Sequence, residues 1–149
     1  QQITQVNLLL VPFQTSQDLA IAEAIAARLT GNYQILQRED PRELKALFQE
    51  VSLTIGMRLH SLIMAAAEGS RCFALSYDPK VSRLMAEVNL CGWELEHLPE
   101  DVEQISQAWQ DCYIHGQPLS SEQRHTLMEQ TRQHQELLNQ VFQGLGDRL

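Results

Sequence analysis

The chain has 149 residues, 44% of them hydrophobic and 20% charged, which suits one domain and excludes collagen-like, mucin-like and disulfide-framework classes. Nineteen acidic against eleven basic residues leave a formal net charge of −8, a balance that disfavours duplex nucleic acid, whose phosphates must be neutralised by Lys and Arg. No apolar run, Leu8–Phe13 included, approaches the ~20 residues that span a bilayer, and Leu8–Phe13 lacks the basic flank of a signal peptide.

Val6–Phe13 predicts a strand buried on both faces, as in a parallel sheet. Thr15-x-x-Asp18 then reads as a capping box opening a helix to about Leu29, with Leu19, Ala22, Ala26 and Leu29 on one face. Tyr33–Leu36 is a short strand. Asp40-Pro41-x-Glu43 combines an N-cap, proline at N1 and glutamate at N3, and Leu44, Leu47, Phe48 and Val51 form the buried stripe that follows. Ser52–Ile55 predicts a third strand, Gly56 a turn, and Met57–Glu68 a helix whose Leu59, Leu62, Ile63, Ala66 and Ala67 make a full core face. Gly69 ends that helix and Cys72–Ser76 is the fourth strand. Pro79 begins a helix to Val88, Cys91–Trp93 is a last short strand, and Pro99–Tyr113 and Ser120–Phe142 close the chain as helices. The order predicts an α/β fold over residues 1–149: one Rossmann-like parallel sheet with right-handed crossovers and helices on both faces. In the final helix Leu127, Thr131, His134, Leu138, Val141 and Leu145 form a half-polar seam, suited equally to its own sheet or to a second domain or subunit.

Charge is unevenly distributed. Six acids between Glu94 and Asp111 have no Lys or Arg among them, whereas Arg58, Arg71, Lys80 and Arg83 meet only Glu68 and Asp78 between Gly56 and Arg83. Cys72, Cys91 and Cys112 are odd in number and widely spaced, as expected of reduced thiols, with Cys72 buried in a strand. The five histidines show no metal-ligand spacing, so no metal is expected.

Ligands of open parallel sheets bind beyond the carboxyl ends of the strands. Three polar loops fall there: Phe13–Asp18 with Gln14, Gly56–His60, and Ser76–Lys80 with Tyr77 and Lys80. In the middle loop Gly56 allows close backbone approach, the helix start offers free N–H groups to an anion, and Arg58 carries a guanidinium suited to carboxylate or phosphate. His60 beside such an anion could transfer protons. Taken alone, Arg58-Leu59-His60 is better explained by an arginine paired with an acid and a histidine capping a carbonyl. Neither a dinucleotide-binding nor a P-loop signature is present.

Thr54-Ile55-Gly56-Met57-Arg58-Leu59-His60-Ser61-Leu62-Ile63, then Ala65-Ala66-Ala67-x-Gly69 and Ala74-Leu75-Ser76-Tyr77-Asp78-Pro79-Lys80-Val81, together resemble the polysaccharide pyruvyl transferase family. Pro12-Phe13-Gln14-x-Ser16-Gln17-Asp18 fits as well, and the looser similarity spans about residues 5–95, leaving 99–149 as added helices. The resemblance implies the C-terminal half of a GT-B-like two-domain enzyme whose N-terminal partner domain supplies the opposite wall of the cleft. It implies transfer of the pyruvyl group of phosphoenolpyruvate, as co-substrate and with no cofactor, onto a saccharide acceptor, free or lipid-linked, as a ketal. Arg58 would hold the donor's carboxylate or phosphate, Leu59 would offer backbone contacts, and His60 would bind phosphate or act as general acid. Tyr77, Lys80 and Gln14 are further candidates by position. The expected location is the cytoplasm, including the inner face of the membrane, and the isolated chain is expected to be inactive. Two other readings remain: a nucleotide-sugar glycosyltransferase domain, and a non-catalytic α/β module that docks a basic partner on its acidic 94–111 segment.

Overall fold

Strand and helix alternate in the computed structural model, which describes Gln1 and residues 3–129. The order is β1 (Leu8–Leu10), α1 (Thr15–Ala26), β2 (Tyr33–Ile35), α2 (Pro41–Glu50), β3 (Leu53–Gly56), α3 (Leu59–Ala67), β4 (Arg71–Ser76), α4 (Pro79–Val88), β5 (Cys91–Glu94), a 3-10 turn at Leu95–His97, and α5 (Val102–His115). These elements belong to a unit covering Gln1–Pro118; Leu119–Leu149 form a second. In the second unit residues 121–129 are helical. Its start is a reciprocal capping box: the Gln123 N–H donates to Ser120 Oγ at 3.2 Å and the Ser120 N–H to Gln123 Oε1 at 2.8 Å. The rest of the helix expected over Ser120–Phe142, with most of its seam, lies outside the described residues.

Among the described residues all strand pairs are parallel, as α/β alternation requires. They form two ladders, β1-β2 and β3-β4-β5, where the sequence predicted one continuous sheet. The reason lies in β1. It runs for three residues instead of the expected Val6–Phe13, and its burial is intermittent, with Leu9 38% exposed. Pro12 has no N–H to give a ladder, and past it the chain turns into α1.

The core follows β4, the central strand of its ladder. Cys72, Phe73 and Ala74 are buried in it, and Leu62, Ala65 and Ala66 of α3 and Val81, Leu84 and Val88 of α4 are buried with them. Phe73 meets Trp93 of β5 edge-on, ring centroids 4.8 Å apart. Both thiols in this region are shielded: burial pushes Cys72 up to about 12 and also raises Cys112, so neither is a ready nucleophile.

The helix ends obey local chemistry. Asp40, Asp78 and Asp101 each cap a first turn through a side-chain oxygen, and Pro41 and Pro79 follow at N1. Asp101 thereby starts α5 at Val102, not at the expected Pro99. α3 ends in a Schellman motif, with the Ser70 N–H on the Ala65 carbonyl at 3.0 Å, the Gly69 N–H on Ala66 at 3.3 Å, and Gly69 at φ 88°. Thr15 does not cap α1. Gln14 occupies the N-cap without a side-chain bond, and α1 stops at Ala26, short of Leu29.

Gly92 fixes how closely β5 can lie on β4. A Cβ there would stand 2.2 Å from the carbonyl oxygen of its ladder partner Ala74. Gly92→Ala must therefore move backbone, and we expect a loss of roughly 1–3 kcal/mol in urea denaturation, in the range of overpacked sites. A midpoint equal to that of the parent chain would contradict this packing.

Candidate functional site

The carboxyl ends of β1 and β3 deliver two helix starts to the same place, and one ion pair joins them. Arg58 is the N-cap of α3, in extended conformation at φ −89° and ψ 128°, with no side-chain cap bond. Its Nη2 donates to Asp18 Oδ1 at 2.6 Å and to Gln17 Oε1 at 3.1 Å. The other carboxylate oxygen of Asp18 accepts the Gln14 N–H at 2.9 Å. Asp18 thus closes the β1–α1 loop with one oxygen and holds the β3–α3 turn with the other. The glutamine of the first loop, Gln14, contributes backbone to this clasp, and its side chain is exposed.

Helix α3 starts two residues later than the predicted Met57, and this decides how its polar residues diverge. Arg58 sits outside the helix and swings toward Gln17 and Asp18. His60, in the first turn, lines a cleft on another side, together with Thr15, Ser16, Arg38 and Glu39. Phe13, Leu44 and Met64 form the apolar part of that cleft, whose volume is about 680 Å³, within the range of small-molecule sites. Phe13 is stacked on Phe48, centroids 6.2 Å apart, and is held in place by it. At Arg58 both Nη2 hydrogens are engaged, while Nε and Nη1 have no partner among the described residues. The N–H groups of Leu59, His60 and Ser61 have no intrahelical acceptor. A partly unpaired arginine at the N-cap and an uncapped first turn are thus neighbours in the chain, a donor set that suits a small anion.

Gly56 packs inward. It is buried, and a Cβ there would come within 3.0 Å of Leu62 Cδ2 and Ser61 Oγ. Its smallness lets the strand end tuck under the first turn of α3, and Ser61 Oγ donates back to the Arg58 carbonyl at 2.7 Å. Ser76, 1% exposed, ties the β4–α4 turn together through the Asp78 carbonyl at 3.1 Å and Ser82 Oγ at 2.8 Å. This leaves Tyr77 56% exposed at the same sheet edge. Lys80 is exposed in the first turn of α4, with no ion pair among the described residues. Arg71 does not join the group. It begins β4 and donates to the Gly116 carbonyl at 2.7 Å, roughly 16 Å of strand from the carboxyl end. The local positive charge read between Gly56 and Arg83 is thus split between opposite edges.

The residues that sequence reasoning passed over are Asp18 and Gln17 beside Arg58, and Arg38 and Glu39 beside His60. Asp18 was hidden because its role in capping explained it already. Arg38 and Glu39 belong to no pattern of their own and reach the cleft only through the placement of α2.

The Arg58 hydrogen bond is the main influence holding the Asp18 carboxyl below its ordinary range, with the Gln14 N–H adding to it and burial opposing it. A depressed carboxyl contributes stability that is full above the unfolded-state pKa and is lost as pH falls through the folded one. Asp18→Asn should therefore flatten the acid limb of a stability–pH profile as pH falls through and below the ordinary aspartate value of about 3.9. With the two side chains 32% and 21% exposed, the loss at neutral pH should be about 1 kcal/mol. An acid limb as steep as that of the parent chain would show that the pair contributes nothing.

A family model described as polysaccharide pyruvyl transferase matches residues 2–79. No curated protein and no solved structure matches the chain. The matched stretch runs from β1 to Pro79, covers just over half of the chain, and takes in the Asp18 clasp, Arg58-Leu59-His60 and Tyr77. On that match, this α/β chain belongs to the polysaccharide pyruvyl transferase family.

Proposed function

We propose that the chain forms the donor-binding half of an enzyme that moves the pyruvyl group of phosphoenolpyruvate onto a saccharide acceptor as a ketal, releasing phosphate. The observation that carries this is the start of α3, where Arg58 keeps Nε and Nη1 without a partner among the described residues, next to the first-turn N–H groups of Leu59 and His60, a donor set that suits a small dianion. Such an anion is gripped by charge-assisted hydrogen bonds, each worth roughly 1.5–3 kcal/mol.

The chemistry assigns distinct tasks. The enol must gain a proton at its methylene carbon so that C2 becomes electron-poor, and we assign its delivery to His60. One acceptor hydroxyl then adds to C2, the C2–O bond to phosphate breaks, and the second hydroxyl closes the ketal, both hydroxyl protons being released. Negative charge on the departing phosphate is met by Arg58 and the helix start. Asp18 acts through Arg58 as a positioning residue, and Tyr77, with Lys80 beyond it, stands at the rim. In the two-domain GT-B-like arrangement that this reading entails, a second α/β domain of the same enzyme closes over the site. Among the described residues no helix is long and apolar enough to cross a membrane. A cytoplasmic enzyme meeting a free or lipid-linked acceptor, with no cofactor, is the setting we propose.

Tested in the two-domain enzyme, His60→Gln should lower pyruvyl transfer roughly 10²–10⁴-fold, the usual share of a general acid. Arg58→Ala should raise the KM for phosphoenolpyruvate, with the far-UV circular dichroism of both variants unchanged. Transfer at parental rates in either variant would overturn the assignment. In the same enzyme phosphoenolpyruvate at a hundredfold over its Kd should stabilise by about 2.7 kcal/mol. Stabilisation by a uridine nucleotide instead would favour a nucleotide-sugar transferase. The isolated 149-residue chain should show no turnover.

A further inference from the structure

The cleft beside His60 differs in character from the opening at Arg58. Its floor is apolar and aromatic, with Phe13 and Met64 on it, and the Phe13 ring is fixed against Phe48. Its rim carries hydroxyl, guanidinium and carboxylate groups: Ser16, Arg38 and Glu39. The charges nearly cancel. Arg38 Nε is paired with Glu43 Oε2 at 3.2 Å, and its Nη1 donates to the Gln37 carbonyl at 3.0 Å. The Glu39 carboxylate has no hydrogen bond or ion pair among the described residues and stands exposed at the mouth. A phosphate or carboxylate seated here would meet the Glu39 carboxylate, and the nearest guanidinium is already shared with Glu43 and the Gln37 carbonyl. A neutral polyhydroxyl ring meets no such penalty. Its C–H face covers an aromatic ring, and its hydroxyls donate to a carboxylate and accept from Arg and Ser.

We infer that this cleft seats a sugar ring of the acceptor, with Phe13 as the stacking surface and Glu39 as the carboxylate that receives and orients a ring hydroxyl. The inference rests on the proposed pyruvyl transfer and adds the acceptor's place in it. His60 lies on the boundary between the two sites, lining the cleft while its backbone N–H faces the anion opening. Donor and acceptor thus meet at one imidazole. Arg38 is a binding residue at the rim, tethered to Glu43 in the first turn of α2, with no Nη2 partner among the described residues.

The test uses NMR on the 149-residue chain with a panel of methyl hexosides as probes, and inorganic phosphate and phosphoenolpyruvate as controls. At least one glycoside should shift the Met64 methyl and the Phe13 ring resonances and leave the Arg58 Nε–H in place. Its apparent Kd should rise five-fold or more in Phe13→Ala and in Glu39→Gln. Glu39→Gln changes a single exposed group, so it remains informative if Phe13→Ala unfolds. Phosphoenolpyruvate should shift the Arg58 Nε–H equally in parent and Glu39→Gln chains. Phosphate or phosphoenolpyruvate shifting Met64 and Phe13 in place of the glycosides would overturn the proposal by making the cleft an anion seat. So would the absence of glycoside shifts at the limit of solubility, or a Kd unchanged by Glu39→Gln. Failure of phosphoenolpyruvate to move Arg58 while a glycoside still moves Met64 would count against the donor reading and leave the acceptor cleft standing.

Discussion

The arrangement of this chain depends on the ion pair between Asp18 and Arg58. The strands form two separate ladders, and β1 and β3 are not hydrogen-bonded neighbours in either. What ties their carboxyl ends is a carboxylate that takes a backbone N–H of its own loop with one oxygen and a guanidinium from the other ladder with the second. The packing of α2 on α3 supports the same alignment, through Lys45 and Gln49 on Glu68 at 3.0 and 2.6 Å. In the exposed part of a protein such a pair adds little stability. Its larger effect is geometric, because it orients the guanidinium so that its free edge faces outward.

A consequence follows for specificity. With both Nη2 hydrogens engaged, Arg58 offers an incoming anion Nε or Nη1 separately, and not the paired fork that a free arginine presents. The remaining donors must come from the uncapped first turn of α3. Two residues away, His60 is carried by the helix to a different side, into a cleft of nearly balanced charge and apolar floor. A single turn of chain therefore presents two surfaces of different chemistry, one suited to an anion and one to a polyol. A reaction that joins an anionic donor to a sugar needs both.

Much of the fold was legible in local pattern. The aspartate–proline starts of α2 and α4 and the glycine stop of α3 depend on contacts within one turn, so they survive any tertiary setting. Where local rules competed, they misled. Thr15 and Asp18 fit a capping box, yet Asp18 serves as its returning carboxylate with Gln14 at the cap, and its second oxygen reaches 40 residues along the chain. Arg71 looked like a partner of Arg58 because charge was counted along the sequence. Strand direction sends it to the far edge.

The sequence by itself determined the α/β alternation and the family, and marked Arg58-Leu59-His60 as candidates, because periodicity, caps and a run of specific residues are properties of neighbours. Only the tertiary structure decided that the arginine is clasped by Asp18, that Gly56 serves packing under α3, and that Phe13, Arg38 and Glu39 enclose a cleft with His60. Those facts depend on which helix start lands beside which. That landing is set by strand lengths, by the break at Pro12 and by the packing of α2 on α3, and no short-range rule encodes it.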